Sequence, residues 1–338
     1  MQDSPLISVM ILTYNHAEYV RQAVNGALMQ KCSYPFEIVV CDDCSSDKTR
    51  DICLELQQKY PDKIRLIFNE KNKGLINNYL DTMRQCKGKY IADCAGDDYW
   101  IDSSKLQKQV DILEQQENIV LVYTNWKDLI SRTGEILNDS KSRKNNFKTE
   151  FLTSKDLFVY LNQKGYSIVN INTTCFRKNE ALMIFDEYHH LFDKDKYPCE
   201  DFQLLFLLLR QGVFYYIDEE MVVYRNNEDS AGRMSDFSKY FVYQYMFMNL
   251  RMELSREFGV ALDIYFPKQA WLLVSLAFKA KNGNYAREAK DLVKYYGYSW
   301  GGMTELLYKI TVNRILLSPV HRIFLLLRWV KLYIKGIK

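Results

Sequence analysis

The stretch Lys89-Tyr-Ile-Ala-Asp-Cys-Ala-Gly-Asp-Asp-Tyr-Trp100 decides the fold. Its first half reads as a buried strand, and its second half delivers two adjacent carboxylates, Asp97 and Asp98, at the carboxyl end of that strand. Open α/β sheets bind their ligands at that edge. Paired hard oxygen ligands with no His or Cys beside them suit Mg²⁺ or Mn²⁺ rather than zinc, and such ions are held by one or two carboxylates plus the substrate's phosphates. Neighbouring carboxylates also repel one another, so a cation would favour keeping both near an apolar strand end. A second pair, Asp42-Asp43, ends an earlier run in the same way. The two pairs together point to a site for a nucleoside diphosphate.

Working outward, apolar runs of strand length alternate with helical periodicity over the first hundred residues. Ser8–Thr13, Phe36–Cys41 and Ile64–Phe68 read as strands. Val20, Ala23, Val24, Ala27 and Leu28 follow a helical spacing after Asn15, which has Glu18 three residues on as in a capping box. Ser45, Ser46 and Asp47 can turn the chain into a helix reaching about Tyr60, and Gly74 to Cys86 reads as a third helix. Strands separated by helices of this length predict βαβ units and a mainly parallel sheet. A helix over Ser103–Gln116 and a strand at Ile119–Tyr123 continue the rhythm.

From Phe151 the rhythm changes. Leu152–Gln163 reads as a helix, Asn172–Arg177 as a short strand facing the site, and Glu200–Gln211 as an apolar helix opened by two acids. Phe214–Ile217 and Met221–Arg225 read as a hairpin-like pair. Beyond about Ser235 the chain reads as helical to its end, which predicts a domain over 1–234 and a helical region over 235–338 that associates with a membrane or oligomerises.

Composition narrows the class. Hydrophobic residues make up 48% and charged residues 26% of the 338, enough for a sizeable core. A net charge of +3 gives no argument for nucleic acid. The eight cysteines show no framework spacing, and no signal peptide precedes Pro5, so the expectation is a reducing, cytoplasmic compartment. Cys41-Asp-Asp-Cys44 has zinc or redox spacing, but no second pair completes a tetrahedral site. Basic residues gather at Lys141–Lys148 and at the C-terminus. There, Arg322, Arg328, Lys331 and Lys335 interrupt an apolar segment over 316–338 too charged to span a bilayer, which needs roughly 18 uncharged residues. It reads as an amphipathic helix on the anionic inner face of the cell membrane, or as one packed on the domain or on a second copy in a homo-oligomer.

Each acid also has a bland role. Asp42 can simply form the turn with Ser45 and Ser46, whereas Asp43 can accept a hydrogen bond from a base or ribose. Glu200-Asp201 can compensate the dipole of its helix or supply a general base.

Ser8–Asn15, Val39–Asp47, Gly88–Ile91 with Gly96–Trp100, Leu106–Val110, and Glu200-Asp201 with Gly212 and Met221–Arg225 are together similar to family-2 glycosyltransferases of bacterial surface-polysaccharide synthesis. The resemblance covers roughly residues 5 to 230 and implies a GT-A fold, a nucleotide-sugar donor such as a UDP-sugar, Mg²⁺ or Mn²⁺, inversion at the anomeric carbon, and a glycan or lipid-linked acceptor. By motif it implies that Thr13, Tyr14 and Asn15 border the nucleotide and that Asp43 contacts the base. It further implies Asp97 by the ribose and donor sugar, Asp98 on the metal, and Asp201 as the base. Gly74, Asn78 and Arg225 complete the residues assigned to substrate. Two departures stand out: Ala95 where many relatives carry a further acid, and Asn226-Asn227 where many carry a His, which leaves Arg225 or Arg233 as phosphate partners. A non-catalytic scaffold that binds sugar nucleotides or glycans is the alternative. A dinucleotide oxidoreductase would need Gly-x-Gly-x-x-Gly after the first strand, where Thr13–Glu18 stands.

Overall fold

The computed structural model describes residues 5–137, 151–152, 169–227, 234–259, 266–313 and 315–321. Two units separate, residues 1–227 and 228–338.

In the first unit, β1 (Ile7–Thr13), β2 (Phe36–Asp42), β3 (Ile64–Phe68) and β4 (Tyr90–Ala95) are joined by α1 (Val20–Leu28), α2 (Thr49–Lys59) and α3 (Leu75–Gln85). These strands pair in parallel in the order β3-β2-β1-β4. Both faces are covered, as a parallel sheet requires. Val9 and Ile11 of β1 join Val20, Ala23 and Val24 of α1 in the core, while Met10, pointing to the opposite face, is equally buried.

The chain continues through β5 (Tyr99–Trp100), α4 (Lys105–Gln115), β6 (Ile119–Ile130), β7 (Glu135–Leu137), β8 (Phe151–Leu152), β9 (Cys175–Arg177), α5 (Lys178–Glu187), α6 (Asp201–Gln211) and β10 (Val213–Asn226). The sheet runs β3-β2-β1-β4-β9-β6-β10-β5, with β7 on β6 and β8 on β10. β9 lies antiparallel to both β4 and β6, and so joins the parallel half to the rest.

Three local expectations are corrected. The hairpin-like pair is one strand, β10, running parallel to β6; irregular register between Ile217 and Val222 absorbs the polar Asp218-Glu219-Glu220 that reads as a turn. Asn172–Arg177 is a 3₁₀ turn (Ile171–Thr173) followed by a three-residue strand. Asn15 does not cap α1: it sits at φ 55°, and its Oδ1 accepts from Ser46 N at 2.9 Å, tying the β1–α1 loop to the β2–α2 loop. None of the eight cysteines is paired. Of the helix expected over Leu152–Gln163, Leu152 lies in strand β8; residues 153–163, the basic run 141–148, Arg233 and the tail from 322 lie outside the described residues.

The second unit is helical where described: α7 (Phe237–Phe258), α8 (Phe266–Lys279), α9 (Gly283–Tyr295) and α10 (Gly302–Val312), with residues 315–321 also helical. Asp236 and Asn282 cap α7 and α9 through side-chain acceptors. Aromatic stacking knits the unit, with Phe241 4.4 Å from Tyr285 and Phe266 4.3 Å from Tyr298 between ring centroids. Among the described residues no helix is long and apolar enough to cross a membrane.

Candidate active site

The carboxyl ends of β1, β2 and β4 open into a cleft of about 540 Å³, whose walls are completed by α3, the 3₁₀ turn and the start of α6. Thr13 ends β1 and Tyr14 follows it, Asp43 follows β2, and Gly74 and Asn78 lie at the start of α3; all five line the cleft. Asp93, Ala95 and Asp97 line it from β4 and the turn after it, Asn172 from the 3₁₀ turn, and Glu200 from the cap of α6. Asn15, Asp98, Asp201 and Arg225 are not among the lining residues.

At the β2 side, Asp43 organises the loop before α3. Its carboxylate accepts from Lys73 N at 2.9 Å, Gly74 N at 3.0 Å and Asn69 Nδ2 at 2.9 Å. Gly74 has φ 78°, a conformation that favours glycine, and so turns this loop into the helix. Asn78 is buried, its Oδ1 held by Asn69 Nδ2 at 2.7 Å. Tyr14, 46% exposed, presents a ring to the cleft mouth. Asp42 plays the turn-forming part, bonded to Ser45 and paired with Arg50 Nε at 2.5 Å.

The two central acids have different surroundings. Asp97 lines the cleft, and its Oδ2 accepts from Asn227 Nδ2 at 2.9 Å. Asp98, expected to reach a metal, is 1% exposed and turned inward. One of its oxygens accepts from Arg225 N at 2.7 Å and the other from Asn172 Nδ2 at 2.5 Å. Burial first, then the neighbouring Asp97 charge, pushes its pKa well above the usual carboxylate range, against the pull of Arg225. Of the two carboxyl groups, that of Asp97 lines the cleft and that of Asp98 does not.

Arg225, expected near phosphate, is committed to holding the same turn. Its Nε donates to Asp97 O at 2.8 Å, another guanidinium nitrogen donates to Gln22 Oε1 at 2.9 Å, and the group lies 4.5 Å from the Tyr19 ring centroid. The turn is pressed against β1 as well: a Cβ on Gly96 would stand 2.8 Å from both Thr13 Oγ1 and His16 Nδ1, so only glycine fits.

Several participants escaped the sequence reading. Asn172 accepts from Ala95 N at 2.5 Å while donating to Asp98, which locks the turn. Gln109 supports it from α4, donating to Val122 O at 2.9 Å and Thr173 O at 2.8 Å and accepting from Lys105 Nζ at 2.7 Å. The buried Lys105 lies 4.1 Å from the Trp100 ring centroid, and desolvation lowers its pKa to about 8. Through Gln109, the Leu106–Val110 motif thus braces the 3₁₀ turn that carries Asn172.

Asp93 and Glu200 also line the cleft, within reach of each other's charge. Desolvation raises Asp93 to about 7, partly opposed by Tyr79 and Lys105. Glu200 is driven well above the usual range by burial and by Asp201. Asp201 itself is partly exposed, accepts from Phe202 N at 2.7 Å and is raised by burial.

Among the described residues no three His, Cys, Asp or Glu side chains converge as a metal centre. The Asp97 carboxylate in the cleft still fits a Mg²⁺- or Mn²⁺-type ion, whose shell is completed by substrate phosphates.

A mainly parallel sheet with acids gathered at its carboxyl edge, followed by helices, defines the GT-A class of fold. Residues 8–167, just under half of the chain, match Glycosyl transferase family 2. It is 25% identical over 281 residues to TuaG of Bacillus subtilis, a glycosyltransferase named for teichuronic acid biosynthesis, covering 82% of this chain and 96% of that one. An uncharacterised protein of Mycobacterium tuberculosis is 36% identical over 117 residues, 35% of this chain and 34% of the relative, so the match spans about a third of that relative's length. In fold, the chain is similar to a mannosyltransferase of Pyrobaculum calidifontis solved with GDP-mannose and Mn²⁺, with TM-score 0.52, 15% identity, and coverage of 91% and 79%.

Proposed function

We propose that this protein transfers a sugar from a nucleoside diphosphate sugar, a UDP-sugar in the first instance, to a hydroxyl of a glycan or lipid-linked saccharide in surface-polysaccharide synthesis. The observation that carries the reading is the cleft itself, with Asp97 turned into it and Glu200 on its wall. In this reading the nucleotide lies along Thr13, Tyr14, Asp43, Gly74 and Asn78, and the sugar points toward Asp93 and Glu200. Asp97 holds Mg²⁺ or Mn²⁺ together with the diphosphate. The bound cation supplies charge neutralisation for the leaving diphosphate. Asp97 is preferred to Asp98 because protein donors already occupy both Asp98 oxygens.

Asp201 is the base that takes the acceptor proton. Its partial exposure beside the cleft suits contact with an acceptor, and its raised pKa brings it closer to the neutral working range of a base. Attack from the face opposite the diphosphate would invert the anomeric carbon. Residues 1–234 are taken as the transferase domain, and the basic tail as a contact with an anionic membrane surface or a second copy.

The test is a panel of nucleoside diphosphate sugars with Mn²⁺, read by thermal shift and donor hydrolysis. A donor at about 100 times its Kd should add roughly 2.7 kcal/mol of stability. Equal stabilisation in EDTA would remove the cation from the reading, and silence across the panel would favour the scaffold alternative.

A further inference from the structure

Alternation along β4 puts Asp93 and Ala95 on one face, and both line the cleft. Ala95 carries only a methyl group, so the cleft reaches past it to Asp93. Three side chains at this end are almost fully enclosed: Asp93 at 4% exposure, Glu200 at 5% and Tyr79 at 1%. Asp93 Oδ2, Glu200 Oε2 and the Tyr79 hydroxyl make no hydrogen bond of good geometry, although Tyr79 stands close enough to Asp93 to pull its pKa back down.

A buried polar atom without a partner keeps its desolvation penalty with no bond to offset it. Three around one cavity mark a surface shaped for something that supplies the missing bonds. The cation whose field reaches Asp93, Lys105, is already bonded to Gln109 and lies over Trp100. The end is therefore rich in carboxyl oxygens and, among the described residues, offers a negatively charged ligand no free counter-charge. It suits a ligand that donates hydrogen bonds and carries no negative charge. Sugar hydroxyls meet that requirement, whereas a carboxylate on the sugar would meet two acids with no cation beside it.

We propose that Asp93, with Glu200 and Tyr79, selects the transferred sugar by accepting hydrogen bonds from hydroxyls of a neutral hexose, and excludes a uronic acid. The proposal rests on the glycosyl-transfer reading above. Asp93 is a specificity residue: it holds the sugar and takes no part in the displacement.

The probes are UDP, UDP-glucose, UDP-N-acetylglucosamine and UDP-glucuronic acid, with GDP and GDP-mannose as the guanosine counterparts, in Mn²⁺. Wild-type protein should use a neutral donor at least about tenfold better in kcat/KM than the uronic donor, because a site built to pair hydroxyls discriminates strongly. Asp93→Asn keeps the volume and replaces the titratable carboxyl by a neutral amide. It should narrow that ratio about tenfold while leaving affinity for the nucleoside diphosphate alone within about twofold. Should Asp93→Asn not fold, Tyr79→Phe carries the test, with weaker binding of the neutral sugar nucleotide and unchanged binding of the diphosphate. An unchanged ratio, a wild-type preference for the uronic donor, or equal loss of diphosphate binding overturns the proposal and leaves glycosyl transfer standing. If wild type binds no nucleoside diphosphate and no sugar nucleotide, glycosyl transfer itself fails and takes the subsite with it.

Discussion

Asn172 Nδ2 donates to Asp98 Oδ2 at 2.5 Å, and Asn172 Oδ1 accepts from Ala95 N at 2.5 Å. One side chain thus closes the turn that presents Asp97 to the cleft, from a segment 74 residues further along the chain. Asn172→Ala leaves a buried carboxyl and a backbone amide short of partners, at a loss of about 1–3 kcal/mol. Asn172→Asp should lose more, because it sets a second carboxylate against Asp98. Urea unfolding of both variants measures this, and an Ala variant as stable as wild type would show the clamp to be dispensable.

Asp97 and Asp98 should separate in their phenotypes. Asp97→Asn keeps a stable fold and loses cation-dependent stabilisation by sugar nucleotides, since the carboxylate lining the cleft is the one removed. Asp98→Asn acts chiefly on stability, because its oxygens serve Asn172 and Arg225. Thermal shifts with and without Mn²⁺ decide it. If Asp98→Asn folds normally and alone abolishes the cation effect, the ligand is Asp98.

Much of the parallel half was legible because its strands read as apolar runs, buried on both faces in β1 and β4. β3 was expected at Ile64–Phe68 and lies there. The acids at the strand ends were equally visible. What the sequence could not show was which way a side chain turns. Asp97 and Asp98 are adjacent and chemically alike, and only long-range donors from Asn172 and Arg225 decide which one faces inward. Asp93 reads as a polar residue in a strand until α3 and α6 enclose it. Asn15 and Glu18 have capping-box spacing, yet the bond from Ser46 captured Asn15 instead.

Asp201→Asn should keep donor binding and lower transfer by about 10²–10⁴-fold, the usual contribution of a positioned base. A base must be unprotonated, and burial raises this carboxyl, so wild-type transfer should climb with pH through an apparent pKa above the ordinary aspartate range. Transfer assays across pH 5 to 9 check both points. An Asp201→Asn variant working at the wild-type rate would shift the role to Glu200.

Stability should fall as pH rises from about 5 to 8, because the buried acids bind protons more tightly when folded. Asp93 is raised to about 7, so between the ordinary aspartate value and 7 the folded chain holds a proton that the unfolded chain has released. The stability due to that proton is present at low pH and lost as pH climbs through 7. The groups acting on Asp93 are Tyr79 from α3, Lys105 from α4 and Asp201 from α6, of which only Asp201 raises it further. Asp98, Glu200 and Asp201 are raised too and slope the same way. Acids lowered by partners, such as Glu37 and Asp102, titrate below this window. His321, lowered by burial, slopes the opposite way near its own pKa, so the difference between wild type and Asp93→Asn is the quantity to read. In EDTA, that difference in unfolding free energy should change by up to about 1.4 kcal/mol per pH unit, the full linkage of one proton. The variant should show the shallower decline. Parallel profiles for the two proteins would mean that Asp93 stays ionised in the fold, held by a cation that its surroundings do not reveal.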